Sequence, residues 1–320
     1  CTHYQTKPYD AENVRKVCHE IHQSFKGKFA YNLSEGTKLM AFAAFSVAKE
    51  YNAVAFYLTQ QGEVVLLDTF YKYPVHSTLE NEEIIKLSGN KLATYHDAKL
   101  LSDTDIRASL QIKYFIEQYP QEHARIQKFF GIFSKRHIDR LPASKMFANQ
   151  LRFKQRNGAL FITLKNRTIL RLPQTNACHL YFEGRWWETL VANQVRNWSQ
   201  SQNNRPEVWQ SVIFQTESDS TQTKNEIDVL LNNEQKLIFI ECKSGQVTQN
   251  DIYKIDAVRE TYGGDISQAV LASYYPVDKS LQEKCKDLQI ALFAPTYFEE
   301  RIQHLDILPS WLDQLSNNIM

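Results

Sequence analysis

No apolar run in the 320 residues reaches the roughly 18 needed to span a bilayer, and no signal-peptide pattern opens the chain. Five cysteines stand at 1, 18, 178, 242 and 285, with no CxxC pair among them. That spacing argues against a cysteine zinc site or a disulfide framework and points to a reducing cytoplasm. The net charge is only +1, so any affinity for nucleic acid has to be local. Glycine and proline are scarce, and there is no internal repeat or low-complexity tract. What is present is the composition of an ordinary folded protein, 43% hydrophobic and 23% charged. The length exceeds what one hydrophobic core usually spans, so more than one domain is expected.

The first 75 residues alternate helix and strand. Val14, Val17, Ile21 and Phe25 fall at helical spacing behind Asp10, a capping residue. Lys28–Leu33 is strand-like. A polar turn, Ser34-Glu35-Gly36-Thr37-Lys38, leads into an apolar helix from Leu39 to Lys49. Two strands follow, Ala53–Leu58 and Val64–Asp68, around a Gln61-Gly62 turn. This is a Rossmann-like order whose opening strand is absent or represented only by Cys1-Thr2. Residues 76–157 read as a mainly helical connector, with Asp103–Gln118 and Gln121–Phe133 its clearest helices. A hairpin, Ala159–Leu164 and Thr168–Leu172, is a candidate wing of a winged helix. Beyond it come a helix from Gly184 to Trp198, whose tryptophans read as core, and a strand at Ser211–Gln215 after a polar loop. An acidic turn spans Glu217–Asn225. Ile227–Leu231 and Leu237–Cys242 then form a hairpin through 232–235. A helix from Asp251 to Tyr262 stops at Gly263-Gly264, and strand, helix and strand close the region at 269–273, 279–287 and 290–294.

The chemistry concentrates on that hairpin. Strand side chains alternate, so Glu241 and Lys243 point one way and Cys242 the other. If the loop is centred on Glu234-Gln235, antiparallel pairing sets Asp228 opposite Glu241. Two carboxylates one strand apart, with an ammonium beside them, suit a hard divalent cation, and Glu188 on the preceding helix can reach it from the side. Phosphodiester hydrolysis needs this set: Glu188, Asp228 and Glu241 to hold Mg²⁺ or Mn²⁺, and Lys243 to orient water and offset charge. The plainer alternative is a pair of solvated strand-end acids bridged by Lys243.

The order Trp187-Glu188, Asn225-Glu226-Ile227-Asp228 and Ile240-Glu241-Cys242-Lys243 resembles the PD-(D/E)XK nuclease superfamily, with Ile227 in the place of its proline. The continuation Tyr253-Lys254-Ile255 to Arg259 and Gly263-Gly264 is similar to the branch that joins this nuclease to a CARF (CRISPR-associated Rossmann fold) domain in type III CRISPR ancillary effectors. The resemblance implies an α/β chain in three parts. Residues 1–75 are a CARF-like Rossmann domain, 76–157 a connector, and 158–320 a restriction-endonuclease-like domain whose catalytic residues are Glu188, Asp228, Glu241 and Lys243. It also implies a homodimer that cuts DNA, RNA or both when a cyclic oligoadenylate binds, with cyclic tetra-adenylate the leading candidate.

Asn32 to Met40 resembles the ligand loop of those CARF domains, which places Ser34, Gly36, Thr37 and Lys38 at the activator. Free N–H groups at a helix start, a hydroxyl and a lysine do make an anion site; the alternative is a plain helix cap formed by Ser34. Residues 134–156 are rich in Lys and Arg, and Arg152, Lys154 and Arg156 are candidates for holding a nucleic-acid backbone. His19 and His22, one turn apart, are either a metal pair or ordinary helix-surface histidines. Two other functions remain compatible with the sequence: an unregulated repair or restriction-type DNA nuclease, and a non-catalytic nucleotide-binding module on a degenerate nuclease fold.

Overall fold

The computed structural model describes residues 2–59, 63–74, 80–87, 90–130, 141–203, 205–215, 223–233, 237–263, 267–295 and 304–317. The chain divides into two compact units, Cys1–Thr78 and Leu79–Asn318. Among the described residues no helix is long and apolar enough to cross a membrane. Cys18, Cys178, Cys242 and Cys285 are buried and free.

The first unit holds α1 (Ala11–Ser24), β1 (Ala30–Asn32), α2 (Lys38–Glu50), β2 (Val54–Leu58), β3 (Glu63–Leu66) and β4 (Lys72–Pro74). Its sheet runs β1-β2-β3-β4, with β1 and β2 parallel around α2 and the other pairs antiparallel. Asp10 caps α1, accepting from the Asn13 N–H at 3.0 Å. Val14 and Cys18 of α1 pack on Ala43 and Val47 of α2, a small core for a small unit. Here the expected helix–strand alternation holds. The described residues ahead of α1 form no strand, and the Gln61-Gly62 turn lies outside the described residues.

The second unit is built on a six-stranded sheet ordered β14-β13-β12-β11-β10-β5. Its strands are β5 (Lys91–Asp97), β10 (Glu207–Gln215), β11 (Thr223–Asn232), β12 (Leu237–Lys243), β13 (Gln268–Ser273) and β14 (Ala291–Phe293). β10, β11 and β12 are antiparallel neighbours, whereas β12, β13 and β14 run parallel. The parallel crossovers are α8 (Gln249–Gly263) and α9 (Lys279–Asp287). One face of the sheet packs on α8 through Phe239, Leu271, Ile252, Ile255 and Tyr262. The other packs on α7 (Arg185–Ser201) through Ile238, Ile240, Val270, Trp187, Leu190 and Val191. β12 is therefore covered on both sides, which is why Leu-Ile-Phe-Ile reads as an unbroken apolar run. Trp186, Trp187 and Trp198 are buried as expected, and the Trp187 indole N–H donates to the Ala272 carbonyl at 2.9 Å, tying α7 to β13.

The stretch 76–157 is mainly helical among its described residues, as expected, but it is not a separate part. It contains α3 (Asn81–Leu87), α4 (Asp103–Gln118) and α5 (Pro120–Phe130), but also β5 at the edge of the six-stranded sheet. It further supplies β6 (Ser144–Met146) and β7 (Leu151–Arg156) to a second sheet, β6-β7-β8-β9, with β8 (Ala159–Leu164) and β9 (Arg167–Leu172). The boundary expected at 157/158 falls inside the β7–β8 hairpin, where Arg156 pairs with Ala159. The hairpin 159–172 is thus half of a four-stranded antiparallel sheet and not a wing. The reason is packing: Leu151 and Phe153 of β7 are fully buried, with Phe153 against Phe130 and Phe182. Residues 131–140, which include the end of the helix expected to reach Phe133 and most of the basic run's start, lie outside the described residues, as do 217–222 of the acidic turn, 234–236 of the hairpin loop and Gly264. α6 (Ala177–Phe182) connects the small sheet to α7, and α10 (Leu308–Asn317) packs on α7 at the chain's end.

Candidate active site

β11 and β12 pair with Val229 opposite Ile240 and Leu231 opposite Ile238. Continued by one residue, that register sets Asp228 across from Glu241, as the loop-centre argument requires. The Asp228 carboxylate accepts the Cys242 backbone N–H at 2.6 Å, so it is locked to the partner strand just where the ladder ends. Asp228 and Glu241 are 9% and 2% exposed. Two carboxylates this deep need partners, because an unpaired buried charge is costly.

Glu241 has them on one oxygen only. Its Oε1 receives Lys243 Nζ at 2.9 Å and Lys254 Nζ at 2.9 Å, while its Oε2 is buried without a hydrogen-bond partner. Lys243 also pairs with Asp251 at 3.0 Å. Burial opposes the charge on Lys243, but Glu241 and Asp251 outweigh it and hold its pKa above the ordinary lysine value. Asp251 is fixed in turn by Thr248, whose N–H and hydroxyl both donate to its Oδ2 at 2.9 and 2.7 Å. Burial raises Asp251, and those bonds together with Lys243 bring it below its usual range.

Glu188 enters from the first turn of α7. Burial pushes its pKa up to about 7, opposed by Arg185 and reinforced by Glu226 and Glu241. Asp228 is raised too, by burial first and then by Glu188 and Glu241, against the Cys242 N–H and Lys243. Glu188, Asp228 and Glu241 all line the same cleft, of about 610 Å³, with Lys243, Asp251 and Lys254. Its far wall comes from α4, α5 and α6 through Ile116, His123 and Tyr181. Burial lowers the His123 pKa to about 4, and its Nδ1 lies 2.8 Å from the Tyr181 hydroxyl. Gly184, at φ 85°, starts α7; a Cβ there would stand 2.2 Å from Ser244 Oγ, so the close approach of α7 to the end of β12 requires glycine.

Among the described residues no group of three or more His, Cys, Asp and Glu stands arranged around a cation position. The reason is visible: Lys254 and Lys243 supply positive charge at Glu241, and Asp228 is turned onto a backbone N–H. The donor set nevertheless suits a hard divalent ion, with three converging carboxylates, two of raised pKa, and an orphaned Glu241 Oε2.

The four residues expected from the sequence therefore come together. Asp251 and Lys254 were missed as members of the site. The signal for the first was there: Thr248-Gln249-Asn250-Asp251 is a capping box, which places Asp251 at the start of the helix that follows β12. Lys254 is one turn further along the same helix face.

The loop of the first unit is placed differently. Ser34 is not a helix cap: its hydroxyl donates to Asn32 Oδ1 at 2.5 Å and accepts the Leu58 N–H at 2.7 Å. Thr37 is the N-cap of α2, accepting from Met40 N at 3.2 Å, and its hydroxyl donates to the Pro8 carbonyl at 2.6 Å. Gly36 adopts φ 87°, and Lys38 is exposed. His19 and His22 do not form a metal pair. His19 lies 3.4 Å from Glu50, and His22 stacks on Tyr51 with ring centroids 3.9 Å apart.

Residues 176–311 match the family model of the Card1-like endonuclease domain, the stretch that carries the acids and lysines of the cleft. No curated protein sequence matches the chain. Among solved structures the chain is similar to Can2 from Sulfobacillus thermosulfidooxidans, determined in complex with cyclic tetra-adenylate. That likeness has a TM-score of 0.66 and 20% identity, covering 97% of this chain and 83% of that one. It is similar to the protein VC1899 from Vibrio cholerae, with a TM-score of 0.72, 17% identity, and 97% and 82% covered. A type III CRISPR defence DNA nuclease activated by cyclic oligoadenylate matches with a TM-score of 0.54 and 15% identity, over 98% of this chain and 42% of that one. At these identities the likenesses establish a shared fold. The α/β class therefore stands, with a Rossmann-like first unit and an endonuclease-like second one.

Proposed function

We propose that this chain is a nuclease of the kind found in type III CRISPR defence, in which the first unit senses a cyclic oligoadenylate and the second hydrolyses phosphodiester bonds. One observation carries the catalytic half of this reading. In the stretch that matches an endonuclease domain, Glu188, Asp228 and Glu241 crowd together beside Lys243 in a cleft, with more carboxylate than the local lysines neutralise.

Glu188, Asp228 and Glu241 are the residues that would hold Mg²⁺ or Mn²⁺, in the manner of a PD-(D/E)XK centre. A bound divalent ion supplies Lewis acidity toward the phosphoryl oxygen and a more acidic water. Lys243, kept protonated by Glu241 and Asp251, orients the attacking water and offsets charge on the phosphorane. Asp251 and Thr248 are positioning residues that act through Lys243. Lys254, on the rim of the cleft, offsets the charge of Glu241.

The regulatory half rests on the fold shared with Can2, whose structure holds cyclic tetra-adenylate. The first turn of α2 offers N–H groups and Lys38 to a phosphate. Ser34 and Thr37 shape the loop, and Gly36 permits its turn. A ligand lying across a homodimer would bias one arrangement of two subunits, which is how a distant site can control the cleft.

The test is cleavage of labelled DNA and RNA with Mn²⁺ or Mg²⁺, with and without cyclic tri-, tetra- and hexa-adenylate. Asp228→Asn keeps an acceptor for the Cys242 N–H and should fold, yet cut nothing; Lys243→Ala should do the same. Cleavage retained by either pure variant removes that residue from the mechanism. Cleavage indifferent to every cyclic oligoadenylate would leave an unregulated nuclease.

A further inference from the structure

The four-stranded sheet β6–β9 has an inner face in the core and an outer face with an unusual charge. From Ser144 to Leu172 the sheet carries seven Lys or Arg and no Asp or Glu; one of them, Lys145, pairs with buried Phe153 and lies over the Phe129 ring, and so does not belong to the outer face. On β7, Leu151 and Phe153 are fully buried while Arg152, Lys154 and Arg156 are exposed. The outer edge of this one strand thus repeats a cation every two residues, about 6.6 Å. Pairing extends the pattern sideways. Lys154 lies opposite Phe161 on β8, and Phe161 lies opposite Arg171 on β9. Phe161 is partly exposed between two fully buried neighbours, Leu160 and Ile162, so it stands on the outer face with the cations. None of Arg152, Lys154, Arg156 or Arg171 forms an ion pair with a described residue.

We infer that this face is a binding platform for single-stranded nucleic acid, separate from the carboxylate cleft. The inference rests on the nuclease reading for its biological sense, but not for its physics. A row of unpaired like charges along one sheet face is an electrostatic cost that a polyanion removes. The ring of Phe161 between two cations adds selectivity: only an unpaired base presents a π-face to stack on it, whereas a duplex offers groove edges and backbone. The regular spacing along β7 suits successive phosphates of an extended strand. A protein partner with acidic side chains would use the charges and not the ring.

The experiment is fluorescence anisotropy of the full chain in a chelator, so that no cutting occurs. The probes are oligothymidylate, a mixed-sequence duplex of equal length, and polyglutamate, each across a salt series. The Arg152→Gln, Lys154→Gln, Arg156→Gln triple variant should bind oligothymidylate at least about tenfold more weakly. Its log–log salt slope should shrink by about 2, at roughly 0.7 per lost single-strand phosphate contact. Phe161→Leu keeps the burial of a large side chain. It should weaken oligothymidylate by about tenfold and leave duplex binding and the salt slope alone. If Phe161→Leu fails to fold, Arg171→Gln replaces it as a cross-strand test and should cost about one further phosphate contact. An unchanged affinity and slope in the triple variant overturns the platform. A triple-variant effect equal on oligothymidylate and polyglutamate, with Phe161→Leu silent, overturns the single-strand assignment. Plasmid and RNA cleavage by the parent is scored separately. A parent that cuts while the triple variant binds normally sinks this inference alone, and one that binds through this face without cutting sinks only the nuclease reading.

Discussion

Glu188→Gln should stabilise the metal-free protein, and only above acidic pH. The side chain is almost enclosed, and its pKa is raised from 4.5 to about 7, first by burial and then by the neighbouring carboxylates. A raised carboxylate binds more protons in the folded state than in the unfolded state between those two values. Stability therefore falls as pH rises from about 4.5 to about 7 and is flat above. The difference of about 2.5 pH units corresponds to roughly 3 kcal/mol, at about 1.36 kcal/mol per unit. Glutamine keeps the size and one acceptor while removing the charge. The assay is denaturant unfolding of parent and variant in EDTA at pH 4.5, 6 and 8; the difference between the two carries the Glu188 titration together with the part of the Asp228 shift that Glu188 causes. The curves should nearly coincide at pH 4.5 and separate by about 3 kcal/mol at pH 8, with the variant the more stable. Mn²⁺ should then stabilise the parent more than the variant, closing the gap. A variant less stable than the parent at pH 8 in EDTA would refute the reasoning, since it would mean that the Glu188 charge is already satisfied without a cation.

Three further outcomes follow from the same geometry. Lys254→Met removes a half-exposed ammonium from Glu241 Oε1, so Mn²⁺ affinity measured by calorimetry should rise a fewfold, on the scale of an exposed ion pair of about 1 kcal/mol; weaker binding would show that Lys254 supports the cation site. Gly184→Ala places a Cβ on Ser244 Oγ at a positive φ and should cost at least about 1–2 kcal/mol in unfolding free energy; adding Ser244→Ala should recover the steric share and not the torsional one. His123, neutral against the Tyr181 hydroxyl, has its pKa lowered from 6.5 to about 4. The unfolded chain therefore takes up its proton first as pH falls. Stability should drop by up to about 3 kcal/mol between pH 6.5 and 4, a loss that His123→Gln abolishes in chelator-treated protein.

Local sequence determined much of this protein because several of its signals are complete within a few residues. Two carboxylates at 228 and 241 with a lysine at 243 require only the period of a strand and the centre of a loop, and the observed pairing of Val229 with Ile240 has that register. The apolar run of β12 read as a strand, and Asp10 announced the start of α1. Tertiary structure decided the rest. β5 was illegible because an edge strand with mostly exposed side chains, Lys91 to Asp97, shows no buried face; only pairing with β10 makes it a strand. β7 does alternate, Leu-Arg-Phe-Lys, but its inward face means nothing until Phe130 and Phe182 come from other elements to cover Phe153. Ser34 and Thr37 are equally good caps by composition, and the choice fell to Thr37 because the Leu58 N–H, from a strand 24 residues away, claims the Ser34 hydroxyl. In the cleft the sequence named the acids and could not say how charge is shared among them. That is set by depth and by Lys254 and Asp251 arriving from the next helix, since in a buried site the energy of a charge depends on what the fold brings within a few ångströms of it.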